Sequence, residues 1–378
     1  MTSRERVLMA LRHHEPDRVP VDLGGSTTGI EAEAYERLKH LLGLCTPTKT
    51  FVRDHVEIEE TVLQRFGVDT RYVRVGAPRG FQLRMDSDNS YLDIWGTRWR
   101  KPPSSLYFDM VEFPIPEPTL AALKAYRWPD PHDPGRTVGL RDRAQHLFEH
   151  SDYAVVLDVT GFGVFEQGWA LRGFENFYTD VIAEPEFAAA LMQGMADYQI
   201  ALYERVLAAV GPYIHVVMVA EDLGSQSGPL ISPATYRTMI KPAQRRVWQF
   251  IKSKTAAKLF LHSCGSIRTF IPDLIELGID ILNPVQVTAA GMDPRELKAE
   301  FGKDLTFWGG GCDTQTVLTF GTPAEVAREV RDRIAALAPG GGFVFNQIHN
   351  IQPQVPAENI LAMFEAVADH GRYPIRAV

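Results

Sequence analysis

Cysteine is scarce in this chain, with three in 378 residues, at positions 45, 264 and 312. So small and odd a number excludes a disulfide framework and fits a reducing compartment where thiols stay free, so the cytoplasm is the expected location. Long apolar runs are missing too. No stretch approaches the ~20 apolar residues that span a bilayer, and Met1-Thr2-Ser3-Arg4-Glu5-Arg6 opens a polar helix rather than the apolar core of a leader peptide. Positive charge is in deficit: the formal charge is -8 and no Lys/Arg stripe occurs, so neither nucleic acid nor a membrane surface is an expected partner. Gly/Ser linkers, repeats and low-complexity tracts are also absent. With 45% apolar and 23% charged residues the chain can bury a large core, and one domain over 1–378 is expected.

What is present is an alternation of short β-rich runs and helical periods. Eight runs read as strands: Arg18 to Leu23, Thr70 to Val75, Tyr153 to Val159, Ile214 to Val219, Lys258 to Leu261, Asp280 to Asn283, Leu305 to Trp308 and Gly342 to Asn346. From the third onward most lead into a helix, such as Ile267 to Leu277, Asp293 to Phe301, Pro323 to Leu337 and Pro356 to His370. Strands joined by crossover helices imply a parallel sheet, and eight of them an α/β (β/α)₈ TIM barrel. The stretch Glu184 to Val210 is long for one helix and is expected to be broken. Between the second and third strands, approximately 79–113, Phe81 to Met85 and Tyr91 to Trp95 alternate around Ser87-Asp88-Asn89-Ser90 and predict a β-hairpin insert.

The chemistry concentrates where predicted strands end, which in this architecture is the active face. His262-Ser263-Cys264-Gly265 closes the fifth strand, and Cys312 follows Gly309-Gly310-Gly311 after the seventh. A buried cysteine is commonly a small hydrophobe, but two thiolates and an imidazole suit Zn²⁺, and three protein ligands leave a coordination position open. His262, Cys264 and Cys312 are therefore the expected metal ligands. Glu221 and Asp222 follow the fourth strand and His349 the eighth, as candidates to orient substrate or move a proton. Asn283, Gln286 and Gln347 are candidate substrate-binding residues, and Asp22, Thr160 and Asn350 also fall at predicted strand ends. Cys45, at a helix end, is a bystander. The glycine triplets lack the Lys-Ser/Thr of a phosphate loop, and Asp130-Pro131-His132-Asp133-Pro134-Gly135 lies in a Pro-rich loop unsuited to presenting a histidine to cobalt.

Glu15-Pro16-Asp17-Arg18-Val19-Pro20-Val21, Leu261-His262-Ser263-Cys264-Gly265, Asp280 to Gln286, Trp308 to Gln315 and His349 to Pro353 with Pro356-Ala357-Glu358-Asn359 resemble the uroporphyrinogen decarboxylase (URO-D) superfamily, in particular its cobalamin/corrinoid-dependent zinc methyltransferase branch. The resemblance implies the barrel, Zn²⁺, and a corrinoid (cobalamin) brought by a corrinoid protein. It also implies a small-molecule methyl donor or acceptor, and admits a homodimer because such barrels often pair. The alternative it carries is a metal-free decarboxylase of a carboxylated substrate. That branch follows its first strand with arginines for the substrate's propionates, whereas no arginine occurs here from Gly24 to Glu36.

Overall fold

Runs such as Ala154-Val155-Val156-Leu157 and Val216-Val217-Met218-Val219 are apolar at every position, the pattern of strands covered on both faces. The computed structural model describes residues 1–52, 55–103 and 105–376. Its strands are β1 (Thr50–Val52), β2 (His55–Val56), β3 (Thr70–Val73), β4 (Ser90–Leu92), β5 (Arg98–Arg100), β6 (Asp109–Glu112), β7 (Ala154–Leu157), β8 (Val216–Ala220), β9 (Lys258–His262), β10 (Ile281–Asn283), β11 (Thr306–Trp308) and β12 (Phe343–Val344). Seven form one parallel sheet in the order β12-β11-β10-β9-β8-β7-β3. Its two edges are joined by the first predicted strand, which forms no ladder of its own. Phe345 N donates to Pro20 O at 2.8 Å and Asp22 N to Phe345 O at 2.9 Å, while Asp69 N donates to Val21 O at 2.8 Å. The sheet thus curls into the expected barrel.

Side chains alternate between two compartments. Tyr72, Val156, Met218, Phe260, Ile281, Trp308 and Val344 fill the interior, plugged by Val7 and Ala10 of the helix Ser3–Ala10 and by Leu11, which caps it. The opposite faces of the strands pack against the outer helices in the main core. The helix Pro185–Val210 runs unbroken for 26 residues, against expectation. It contains no interior proline, and Gly194 is where Trp128 lies on it: a Cβ there would stand 2.7 Å from the indole.

The insert also differs from expectation. Phe81 to Met85 is irregular, with Leu83 and Met85 exposed. The sheet is instead β4-β5-β6, with Tyr91 opposite Trp99. It is seated by Tyr91 and Trp99 on Ala170, and by Thr97 Oγ1 donating to Ala170 O at 2.5 Å.

His215, just before β8, accepts from Val155 N through Nδ1 at 2.9 Å and stacks on Phe148. Burial, with Arg4 nearby, pulls its pKa from 6.5 down to about 4. Between those values the unfolded chain binds a proton that the folded chain does not, so this group's contribution to stability is full above pH 6.5 and is lost as pH falls. From pH 7 to pH 5 the wild type should lose on the order of 2 kcal/mol more than His215→Gln, which can still accept from Val155. Parallel denaturant melts at the two pH values, giving equal losses, would refute this.

Candidate metal centre at the barrel mouth

Ala220 of β8, His262 of β9 and Asn283 of β10 stand side by side in register, so three strands end at one level. The last residue of β9 is the imidazole, and the chain turns immediately after it. Gly265, at φ +80°, makes that turn against the loop after β8, where a Cβ would meet Gly224 backbone at 2.4 Å. Asp222 Oδ1 accepts from Cys264 N at 2.8 Å, and Gln286 Oε1 accepts from Gly265 N at 2.7 Å. Cys264 is thereby pinned from both neighbouring loops, with its Sγ 3.4 Å from His262 Nε2.

The hydrogen bonds fix which nitrogen of His262 is free. Asn283 Nδ2 donates to Trp308 O at 2.7 Å, so its Oδ1 is the atom facing His262 Nδ1 at 2.5 Å. An amide oxygen can only accept, hence Nδ1 carries the proton and Nε2 presents its lone pair toward Cys264. This is the arrangement by which an outer hydrogen bond orients a metal-binding imidazole.

The third member of the group is His349. Ligand atoms of His262, Cys264 and His349 all lie within 4.8 Å of one another. Tetrahedral Zn²⁺ with bonds of ~2.0–2.3 Å sets its ligands roughly 3.3–3.8 Å apart, so a modest contraction would bring the trio around one ion. His349 sits at φ +64°, a strained conformation for a non-glycine residue at a site where position matters. Its Nδ1 accepts from Asn350 N at 2.7 Å, a local contact that a ligand role would disturb.

Cys312 is not with them. The chain leaving β11 packs backbone on backbone, and a Cβ at Gly309 would lie 2.3 Å from Pro284 O, so the glycines serve this close approach rather than an ion. Cys312 is then fully buried, with its Sγ 3.5 Å from Glu329 Oε2 of the outer helix Pro323–Leu337. The expectation was that it completes the trio; in this structure its thiol faces Glu329 and lies outside the group formed by His262, Cys264 and His349.

The remaining candidates divide by their partners. Glu221 accepts from Phe165 N at 3.1 Å, Glu166 N at 2.7 Å and Gln244 Nε2 at 3.2 Å; burial moves its pKa up to about 7. It holds the start of the helix Glu166–Arg172. Gln347 Nε2 donates to Gly29 O at 3.2 Å and His349 O at 2.9 Å, and Asn350 Oδ1 accepts from Gly29 N at 2.7 Å, which ties the His349 loop to the segment after the first predicted strand. Asp22 lies inside the barrel and not on its rim, fully buried beneath Trp308.

Three contributors were invisible in the sequence pattern. Glu166 Oε2 is buried without a hydrogen-bond partner. Its carboxyl is pushed well above the usual range by burial and by Asp222 and Glu221, and it in turn acts with Asp222 on the Cys264 thiol, which burial already raises. Leu106 and Tyr107 of the insert reach over the mouth. With Cys264, His349 and Gln286 they line a cavity of about 570 Å³. A cavity of about 670 Å³ on the barrel flank is lined by ionic groups already paired, Arg71 with Glu60 at 2.6 Å and Arg74 with Asp158 at 2.9 Å. The mouth is where donor atoms stand open.

Comparison with known proteins follows the same line. The chain is 24% identical over 254 residues to the methylated-thiol--coenzyme M methyltransferase of Methanosarcina mazei, covering 67% of this chain and 64% of that protein. It is 27% identical over 205 residues to the uroporphyrinogen decarboxylase of Legionella pneumophila, covering 53% of each. The matches thus span between about half and two thirds of these relatives. A solved methyltransferase from Methanosarcina mazei superposes with a TM-score of 0.68 at 17% identity, over 98% of this chain and 99% of that one, which shows a shared fold. The sequence profile described as uroporphyrinogen decarboxylase (URO-D) matches residues 121–370. With that match spanning β7 to β12 and the ends of those strands, the chain belongs to the uroporphyrinogen decarboxylase family.

Proposed function

We propose that this protein is a zinc-dependent methyltransferase. It would move a methyl group between a small-molecule donor or acceptor and a corrinoid held by a partner corrinoid protein. The observation that carries the reading is the convergence of His262 Nε2, Cys264 Sγ and His349 beneath an open cavity at the barrel mouth. The name of the Methanosarcina mazei relative supports the reaction class.

Bound there, Zn²⁺ would supply Lewis acidity toward a thiol, or toward the heteroatom bearing the methyl group. The chain's own residues do the rest. Asn283 keeps the His262 proton on Nδ1, Asp222 and Gln286 hold the Cys264 turn, and Glu221 fixes the helix start behind it. Asp222 would be the group to hold or pass a proton, and Leu106 and Tyr107 cover the mouth from above. A metal-free decarboxylase would leave the freed His262 lone pair and its Cys264 neighbour without a role. Zinc-loaded protein mixed with Co(I) cobalamin and methylated thiols should give the absorption of methyl-Co(III). Absence of that change in either direction of transfer, together with CO₂ release from a carboxylated pyrrole, would sink the proposal.

A further inference from the structure

The mouth is neutral in an unusual way. Its described lining includes five glutamines (226, 286, 315, 352 and 354) and no lysine or arginine. Gln226 Nε2 donates to Gln315 Oε1 at 2.9 Å, and Gln352 Nε2 to Asn350 O at 3.1 Å, so the amides form a held rim that offers donors and acceptors without charge. Below it lie the Asp222 carboxyl against the Cys264 loop and the unpartnered Glu166 Oε2. The backbone donors Phe165 N and Glu166 N are already taken by Glu221.

Once Cys264 and a bound thiolate balance the zinc charge, an anionic tail reaching the rim sheds water and meets no guanidinium or ammonium among the described lining residues in return. It also meets carboxyl groups, so the desolvation cost stands uncompensated. A hydroxyl or amide tail meets neither obstacle, and an ammonium can donate to the amide and carboxyl oxygens.

We propose, resting on the metal-dependent methyl-transfer reading, that the small molecule handled at this mouth is uncharged or cationic, and that sulfonates, carboxylates and phosphates are excluded by the glutamine rim and the carboxyl groups beneath it. This narrows the donor or acceptor to classes such as neutral thiols, ethers and amines.

Three thiols that share the HS–CH₂–CH₂ stem test it: 2-mercaptoethanesulfonate, 2-mercaptoethanol and 2-aminoethanethiol, titrated calorimetrically into the zinc-loaded full chain. The neutral and cationic thiols should bind at least about tenfold more tightly than the sulfonate, roughly the 1.4 kcal/mol of one uncompensated contact. Gln315→Arg, at an exposed rim position, should raise the sulfonate's affinity relative to the neutral thiol's. A sulfonate that binds as tightly as the neutral thiol, or a ranking that Gln315→Arg leaves unmoved, overturns the inference while the metal reading stands. If the chain retains zinc but takes up none of the three thiols, or retains no zinc, the metal reading itself fails and the inference with it.

Discussion

Replacing Cys264 or His262 by alanine should reduce bound zinc from about one ion per chain to nearly none, whereas Cys312→Ala should leave the content unchanged. The contrast follows from where the atoms point. His262 Nε2 and Cys264 Sγ already face each other at 3.4 Å, held by Asn283 on one side and by Asp222 and Gln286 on the other. Structural zinc sites are worth ~10–16 kcal/mol over four ligands, so one ligand accounts for roughly 3 kcal/mol, on the order of a hundredfold in affinity. His349→Ala should weaken binding by at least about tenfold but less than the other two, because this imidazole gives up its Asn350 contact to join the ion. Zinc measured in protein purified without added metal, and competition with a chelator for each variant, separates the four cases. Zinc lost in Cys312→Ala but kept in His349→Ala would restore the cysteine to the ligand set and remove the trio described here. The expected loss of methyl transfer runs parallel, since the same atoms are required.

Much of this arrangement was legible in the residues. Apolar runs such as Val216–Ala220 could be nothing but strands covered on both faces, and the His-x-Cys at the end of β9 read correctly as two side chains brought to one rim. The third position differs between sequence and structure for a physical reason. Cysteine is the softer ligand, so Cys312 attracted the assignment, yet side-chain direction after a glycine triplet depends on how tightly Gly309 packs on Pro284, which spacing does not encode. His349 points inward because its backbone adopts a left-handed turn, a conformation with no pattern in a histidine-containing loop. The insert was located but its pairing was not. Exposed Leu83 and Met85 mimic one face of a strand, while the ladder that forms is chosen by burial of Tyr91 and Trp99 on Ala170. The consequence that mattered, Tyr107 and Leu106 reaching over the candidate metal site, depends on that choice.

Asp22→Ala should cost about 3–5 kcal/mol, the largest stability effect expected of a single side chain here, because the carboxyl accepts from several buried donors at once. It is fully buried inside the barrel, takes hydrogen bonds from Tyr72 OH at 2.9 Å on both oxygens and from Trp308 Nε1 at 2.9 Å, and is also bonded by Thr70 Oγ1. Burial raises its pKa and these donors oppose the rise. Alanine would leave two hydroxyls and an indole N–H facing a cavity, at ~1–3 kcal/mol for each group left bare. Asp22→Asn keeps one acceptor, and its NH₂ can turn to a hydroxyl, so its loss should be about half as large or less. The effect should carry to the mouth, since Trp308 O is the acceptor that orients Asn283, which in turn sets the proton on His262. A shifted Trp308 would release that chain, so zinc affinity should fall in Asp22→Ala even at temperatures where the protein stays folded. Urea midpoints together with chelator competition read both consequences, and a variant as stable as the wild type would mean that the buried donors find other partners and that this polar layer does not organise the barrel.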